Sequence, residues 1–480
     1  MTDLEMAKQI AEKVAKTGGR TFFVGGFVRD QILEKENKDI DIEVHGILPE
    51  QLFEILGSFG HLDERKVGGT FGILNIKGHD IDIAMPRREI CVGAGHKDFE
   101  VEVDPFIGEQ GAARRRDFTM NALMQDVLTG EIVDCFGGVD DIQNGIIRHV
   151  DDQTFTEDPL RVFRAAQFAA RFGFTVAPET VSLAKEMDLS TLSRERVAGE
   201  LDKALLKSNK PSIFFDTLRT MDQLDVWFPE VKALIGCKQE ASHHREGDVY
   251  DHTMLVINQA AKVNVAAKRN FMVAALCHDF GKPATTEYDE MKNKIISYGH
   301  DKAGVNPTIA FVKRIYNDNN LRKYAVDLVE HHMKPLLMVN NQASDKKFMM
   351  FWDTVQNPDD LIKLMEADTN GRVTRESRRD FVKTKGFLEA SLQKYRNLMK
   401  EPQVVGQDLI ALGLKPSPEF KEMLLFAHKM HLNGIDKDRA LRQTLGEFGR
   451  SDLLHTVNIS SDDNEDISVA SDDCEYNGRI

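Results

Sequence analysis

The stretch from Phe22 to His45, FFVGGFVRDQILEKENKDIDIEVH, constrains this chain more than any other. Phe22-Phe23-Val24 reads as a short apolar strand, and Gly25-Gly26 lets the backbone approach a ligand with no Cβ in the way. Arg29 and Asp30 are expected to open a short helix, and Lys38-Asp39-Ile40-Asp41-Ile42 to return as a strand. Side chains alternate along an extended segment, so Asp39 and Asp41 share a face, about 7 Å apart. Two carboxylates so placed beside a glycine turn suit a hard cation carrying a triphosphate. Either feature alone is as readily a solvated edge strand or an ordinary tight turn. Their spacing gives them meaning together.

A chain of 480 residues is too long for one core and should divide into several domains. No run of 18 apolar residues exists, and the opening MTDLEMAKQIAEKVAK reads as an amphipathic helix rather than a signal peptide. Five scattered cysteines without a CxxC argue for reduced thiols. A cytoplasmic protein without a membrane partner is expected. The net charge of −15 runs against a polyanionic partner, but seven acids against one arginine in the closing SSDDNEDISVASDDCEYNGRI account for −6 of it. The remaining −9 requires any RNA contact to use a local basic stripe.

After Gly68-Gly69-Thr70-Phe71-Gly72, the segment ILNIKGHDIDIAMPRR reads as a hairpin whose second strand runs from His79 to Met85. Asp80 and Asp82 share a face there, and Asp82 is the candidate third carboxylate beside Asp39 and Asp41. A loop is expected from Glu89 to Gln110. It ends in Arg114-Arg115-Arg116-Asp117-Phe118-Thr119, where the apolar run that follows should turn at least one arginine inward toward something anionic. From Ile146 the pattern becomes helical. Thr156 is the expected N-cap, with Glu157, Asp158 and Pro159 in the first turn. Steps of three put Asp158, Arg161 and Arg164 on roughly one face; the plainer reading of that face is an i,i+3 salt bridge.

After about Phe214 the chain reads as almost wholly helical. It carries a second constellation in His243-His244-Arg245-Glu246, His252, His278-Asp279, His300, His331-His332 and Asp368. An adjacent His-Asp with distant His and Asp residues offers the mixed imidazole and carboxylate donors that divalent transition metals accept.

Taken together, Gly25-Gly26-x-Val28-Arg29-Asp30, Asp39-x-Asp41, Arg115-Arg116-Asp117-Phe118-Thr119-x-Asn121-Ala122 and Glu157-Asp158-x-x-Arg161 form an ordered set, continued by Arg194-Glu195-Arg196 and Gly406-x-Asp408-Leu409. The chain resembles, from about residue 20 to about 445, the class II CCA-adding tRNA nucleotidyltransferases of the polymerase-β-like superfamily, in the bacterial form with an HD domain. The resemblance implies an α+β fold with a mixed-sheet nucleotidyltransferase head at 1–145 and an all-α neck at 146–213. An HD-type helical body at 214–400, a helical tail at 401–450 and a disordered acidic tail at 451–480 would follow. It implies that Asp39 and Asp41 hold Mg²⁺ with Asp82 as third carboxylate. Gly25, Gly26, Arg29, Arg116 and Asp117 would sit at the nucleoside triphosphate, and Asp158, Arg161 and Arg164 at its base and phosphates. In the body, His252, His278, Asp279 and Asp368 would bind a divalent ion such as Ni²⁺ or Mn²⁺, with His244, His300 and His331 as accessories. Members often carry a further arginine where this chain has Gln167, which leaves one phosphate contact open.

The implied reaction is in-line attack of a tRNA 3′-hydroxyl on the α-phosphate of CTP or ATP, by two-metal nucleotidyl transfer. The Asp158 and Arg161 pair has its own logic. Cytosine and adenine each present an exocyclic amine beside a ring-nitrogen acceptor, which an aspartate and an arginine match. Guanine and uracil reverse that order and would leave both side chains unpaired. Poly(A) polymerase or A-only addition, a chain acting mainly as an HD phosphohydrolase, and an inactive RNA-binding protein are the competing readings.

Overall fold

The computed structural model describes residues 2–37, 39–64, 73–91, 99–242, 244–372 and 375–456. Two compact units result, residues 1–232 with 314–316, and residues 233–313 with 317–480. The expected glycine run at 68–72 and most of the acidic tail lie outside the described residues. The tail was expected to be irregular from Ser451, but Ser451–Thr456 forms a 3₁₀ helix.

The first unit is built on a mixed sheet of β1 (Arg20–Val24), β2 (Ile40–His45), β3 (Leu62–Glu64), β4 (Leu74–Ile76), β5 (Ile81–Ala84), and two further strands after a separate hairpin. That hairpin is β6 (Arg87–Cys91) and β7 (Phe99–Val103), paired antiparallel; β8 (Met124–Asp126) and β9 (Ile132–Val133) then complete the sheet. The expected loop at 89–110 is therefore in large part a β-hairpin followed by the helix Gly108–Arg114. Its mixed charge hid the period-2 alternation of FEVEV.

The sheet order is β3-β4-β5-β2-β1-β8-β9. Phe22 and Val24 pack against Ala112, Ala113 and Met124, anchoring β1 in the interior. Gly25 follows with φ of 65°, a left-handed conformation that costs glycine little, and turns the chain into the helix Gly26–Ile32. That helix opens at Gly26, so Arg29 and Asp30 lie inside it rather than at its start. Strand β2 returns antiparallel to β1 and runs parallel to β5, with Asp41 paired to Asp82.

Residues 146–232 are mainly helical, apart from a small parallel pair of Ile146–Ile147 with Thr175–Val176. The expected N-cap at Thr156 is not one. Asp151 caps a helix over Asp152–Glu157 and Thr156 lies in its last turn, donating to the Gln153 carbonyl. Asp158 separates that helix from Leu160–Phe172, because Pro159 lacks the N–H that a continuous helix would need. Phe163 packs among Phe214 and Phe228, with Phe215 against both of these, which fixes the inner face of Leu160–Phe172 and turns its opposite face outward.

The second unit is almost wholly helical, as expected, with one short hairpin of Glu287–Asp289 with Lys294–Ile296. The helices Val249–Ala260, Lys268–Cys277, Asn319–His331 and Pro358–Gly371 pack together; His252 and Asp368 lie buried within the first and last, and His278 and His332 cap the C-termini of the other two. Leu361, Ile362 and Met365 of Pro358–Gly371 pack with Phe348 and Trp352 in a separate apolar cluster. Among the described residues no helix is long and apolar enough to cross a membrane.

Candidate active sites

The first unit opens into a cavity of about 650 Å³ lined by Gly25, Gly26, Arg29, Asp39, Asp41, Arg116, Asp117, Asp158, Arg161 and Arg164. The expected site residues are thus brought together, apart from Asp82, which stands beside Asp41 on the neighbouring strand. Ten arginines and lysines line the cavity against five aspartates and glutamates. This is the local basic surface that the overall charge of −15 had made a requirement.

Neighbouring strands lie roughly 5 Å apart, so the register of β2 on β5 holds two like-charged carboxylates side by side. Burial, and then the Asp82 charge, push the Asp41 carboxyl up to about 6. A cation is the group such a trio of aspartates lacks, and an all-oxygen set suits a hard divalent one. Asp82 is held by Asn75, whose Nδ2 donates to it at 2.6 Å.

A hydrogen-bond relay joins the sequence motifs across the cavity wall. Arg29, only 4% exposed, donates from Nε to Asp30 at 2.8 Å and from Nη1 to Asn121 Oδ1 at 2.6 Å. Its guanidinium lies over the rings of Phe168 and Phe172. Asn121 donates to Asp117 Oδ1 at 2.9 Å, and Arg164 Nε donates to Asp117 Oδ2 at 2.6 Å. Both Asp117 oxygens are therefore engaged by protein groups, and Asp117 holds Arg164 and Asn121 in the cavity wall.

The i,i+3 salt bridge that was the plainer reading of this face does not form between Asp158 and Arg161. Asp158 accepts instead from Arg196 at 2.8 and 3.0 Å, while Arg161 donates to the carbonyls of Thr154 and Arg115 at 2.6 and 2.8 Å. Those contacts use two of the five guanidinium N–H groups and fix its plane. Gln167 is buried in the cavity wall with its Nε2 lacking a hydrogen-bond partner, and Arg171, one turn on, lines the same cavity.

Glu43 was not singled out in the sequence. It sits two residues after Asp41, is fully buried, and accepts from Arg115 at 2.9 Å and Arg116 at 3.3 Å. Burial would raise its carboxyl, but the His45 hydrogen bond and the two guanidinium groups outweigh it and hold the group at about 2. The arginine run thus does turn inward, while Arg114 pairs with Asp151. The arginine partners of Glu43 lie 72 and 73 residues away, so nothing local in the sequence marked it.

In the second unit, His252, His278, Asp279 and Asp368 are all buried and converge. His252 Nδ1 lies 2.9 Å from Glu246, and its Nε2 lies 2.9 Å from Asp368, whose other oxygen accepts from Arg372 at 3.0 Å. Asp279 Oδ2 lies 3.2 Å from His278 Nε2 and 2.7 Å from Lys282 Nζ, yet neither His278 Nε2 nor this oxygen finds an aligned hydrogen-bond partner. Two buried atoms without a hydrogen-bond partner, His278 Nε2 and Asp279 Oδ2, beside His252 and Asp368 fit a metal ion, and the donors suit a divalent transition metal.

Of the expected accessories, His244 shares Glu246 with His252 at 2.7 Å, and His300 stands with its Nε2 3.5 Å from Asp279. His331 does not join them. Its ring meets Phe351 and the Asp327 carbonyl, and the adjacent His332 takes the inner position. Successive helical residues point roughly 100° apart, so only one of the pair can face the cluster. Gly281 permits the assembly: a Cβ there would overlap the His300 carbonyl oxygen, so only glycine lets the His278-Asp279 segment and the His300 turn approach.

Three family models match the chain: the Poly A polymerase head domain over residues 21–148, the probable RNA and SrmB-binding site of polymerase A over 173–235, and the HD domain over 249–368. A multifunctional CCA protein of Actinobacillus pleuropneumoniae is 37% identical over 370 residues, covering 74% of this chain and 87% of the relative. One from Nitrosospira multiformis is 39% identical over 317 residues, covering 65% and 73%. Among solved structures, a CCA-adding enzyme of Thermotoga maritima complexed with tRNA has a TM-score of 0.59 at 21% identity, over 92% of this chain and 95% of that one. The Bacillus stearothermophilus CCA-adding enzyme in complex with CTP has a TM-score of 0.58 at 20% identity, over 94% and 99%. These structures share the fold; the sequence relationship to the curated relatives goes further, and the chain belongs to the multifunctional CCA protein family, tRNA nucleotidyltransferases with a poly(A)-polymerase-type head and an HD domain.

Proposed function

We propose that this chain adds the 3′-terminal CCA sequence to tRNA from CTP and ATP, without a nucleic-acid template and in the cytoplasm. The observation that carries the reading is the presence, in one basic cavity, of Asp39 and Asp41, with Asp82 beside Asp41 on the neighbouring strand, and of Asp158 and Arg161, each held by other groups. The names of the relatives, multifunctional CCA protein and CCA-adding enzyme, support it over poly(A) or A-only addition.

The tRNA 3′-hydroxyl attacks the α-phosphate in line, and pyrophosphate leaves. Asp39, Asp41 and Asp82 would hold Mg²⁺, which supplies charge neutralisation at the reacting phosphate. Gly25 and Gly26 give the triphosphate close access to backbone. Arg116 and Arg164, held by Glu43 and Asp117, neutralise its charge from fixed positions, so little reorganisation accompanies reaction. Arg171 supplies the cation that Gln167 does not. Asp158 accepts the exocyclic amine of cytosine or adenine, and Arg161 donates to the adjacent ring nitrogen. With Arg196 and two carbonyls fixing the pair, the protein presents a constant donor and acceptor pattern to each incoming base. The test is incubation of the purified protein with tRNA lacking its 3′ end and each labelled nucleotide in turn. Two cytidines followed by one adenosine are expected. Adenosine alone, or a long adenosine tail, would overturn the reading.

A second activity is favoured by the convergent donors of the second unit. We propose that they hold a divalent metal such as Ni²⁺ or Mn²⁺ and hydrolyse phosphoesters such as 2′,3′-cyclic phosphates at RNA ends. Loss of both bound metal and hydrolysis is expected in His278→Ala/Asp279→Ala. Unchanged metal content would remove the site, and metal without hydrolysis in the wild type would remove the activity.

A further inference from the structure

We infer that Asn37 is a positioning residue for nucleotidyl transfer: its side-chain amide ties the backbone of Asp39 to the buried Asp30–Arg29 pair and so holds one of the cation-binding carboxylates in place. The inference rests on the reading of Asp39, Asp41 and Asp82 as those carboxylates. It adds a residue that stands behind the cavity and does not line it.

Asp41 stands inside β2, where its pairing with Asp82 fixes the backbone, whereas Asp39 precedes the first residue of that strand, Ile40. The Asp39 N–H donates to Asn37 Oδ1 at 3.0 Å, a turn that an asparagine side chain closes on its own backbone. The far end of the same amide, Nδ2, donates to Asp30 Oδ2 at 2.9 Å. A backbone N–H can only donate and an ionised carboxylate can only accept, so these two partners fix which end of the amide is which. Asp30 is 3% exposed, and its other oxygen is taken by Arg29, from Nε at 2.8 Å and Nη2 at 2.7 Å.

This tie extends the relay of the cavity wall. From the Asp39 N–H the chain runs through Asn37, Asp30, Arg29, Asn121 and Asp117 to Arg164, with bonds of 2.6 to 3.0 Å. A Cβ added at Gly26 would stand 3.4 Å from Arg29 Nη2 and 3.6 Å from Asn37 Nδ2, so the amide borders the glycine turn. A cation ligand and an arginine of the nucleotide site are thus held by one chain, charge-assisted at each carboxylate. Only an amide offers an acceptor toward Asp39 and a donor toward Asp30 at once. An aspartate at 37 would keep the turn but set one carboxylate against another, and alanine would lose both bonds. Removing a group that orients a metal ligand from behind costs roughly 10–100-fold in metal affinity.

The experiment titrates the full chain calorimetrically with Mn²⁺, in a His278→Ala/Asp279→Ala background that removes the donors of the second unit. Asn37→Asp is expected to weaken Mn²⁺ binding on the order of tenfold. Exchanging the pair, Asp30→Asn with Asn37→Asp, reverses the direction of one bond and keeps both, and should recover most of that loss. A second measurement needs no such background: the Mg²⁺ concentration giving half-maximal addition of labelled cytidine to tRNA lacking its 3′ end. It should rise on the order of tenfold in Asn37→Asp and return in the exchanged pair, and it decides the matter if the background variant fails to fold. A merely structural Asn37 would lower stability to urea and leave the Mn²⁺ affinity and the Mg²⁺ dependence unchanged, which overturns the inference. An exchanged pair no better than Asn37→Asp alone overturns it too. A parent that binds no Mn²⁺ and adds no cytidine overturns the reading of the carboxylates, and this inference with it.

Discussion

Replacing Glu43 by glutamine tests whether the arginines of the nucleotide cavity are held from behind. The substitution preserves volume and removes one charge from a fully buried side chain that engages Arg115, Arg116 and His45. A carboxyl held at about 2 instead of 4.5 corresponds to about 3 kcal/mol of folding free energy. Breaking a buried ion pair by removing one partner costs a similar ~3–5 kcal/mol. Because the folded-state value lies below the unfolded one, the contribution is complete above pH 4.5 and is lost as the pH falls toward 2. The chain has two tryptophans, Trp227 in the first unit and Trp352 in the second, so urea unfolding in a Trp352→Phe background reports the first unit alone. Glu43→Gln should cost about 3 kcal/mol at pH 7, shrinking by more than half by pH 3, and should raise the KM for CTP on the order of tenfold. A difference below about 1 kcal/mol at neutral pH, or one that does not shrink on acidification, would refute the reasoning.

Asp39→Ala or Asp41→Ala should abolish nucleotide incorporation into tRNA while leaving far-ultraviolet circular dichroism unchanged; normal incorporation by either would remove these residues from the site. Arg161→Ala should relax discrimination against UTP and GTP by on the order of tenfold or more, measured as the ratio of kcat/KM values; an equal loss with all four nucleotides would contradict base reading. Gly281→Ala, which forces a methyl group into the His300 carbonyl, should lower the stability of the second unit by about 1–3 kcal/mol and weaken Mn²⁺ binding, followed by Trp352 fluorescence and calorimetry.

Local chemistry made much of this protein legible in one dimension. The glycine turn after an apolar strand, the alternation of Asp39 and Asp41, and the step of three from Arg161 to Arg164 each follow from backbone periodicity, whereas Asp158 lies in the break before that helix and not on its face. The resulting placement agrees, with all but Asp82 lining one cavity. The HD motif likewise pointed to a buried cluster, since an adjacent His and Asp directly after an apolar run have few other uses.

What the sequence could not decide depended on partners far along the chain. The pairing of Asp158 with Arg196 rather than Arg161 links residues 38 apart, and the Asp41–Asp82 register joins strands separated by some forty residues. Glu43 is an ordinary acid on a strand until the arginines at 115 and 116 are folded over it. His331 and His332 are chemically identical in the sequence, and only the rotation of one helix against its neighbours selects His332 for the cluster. Periodicity determines which residues share a face, because it is a property of the local backbone. Which faces meet, and which buried charge answers which, depends on long-range packing, and there the tertiary structure alone decided.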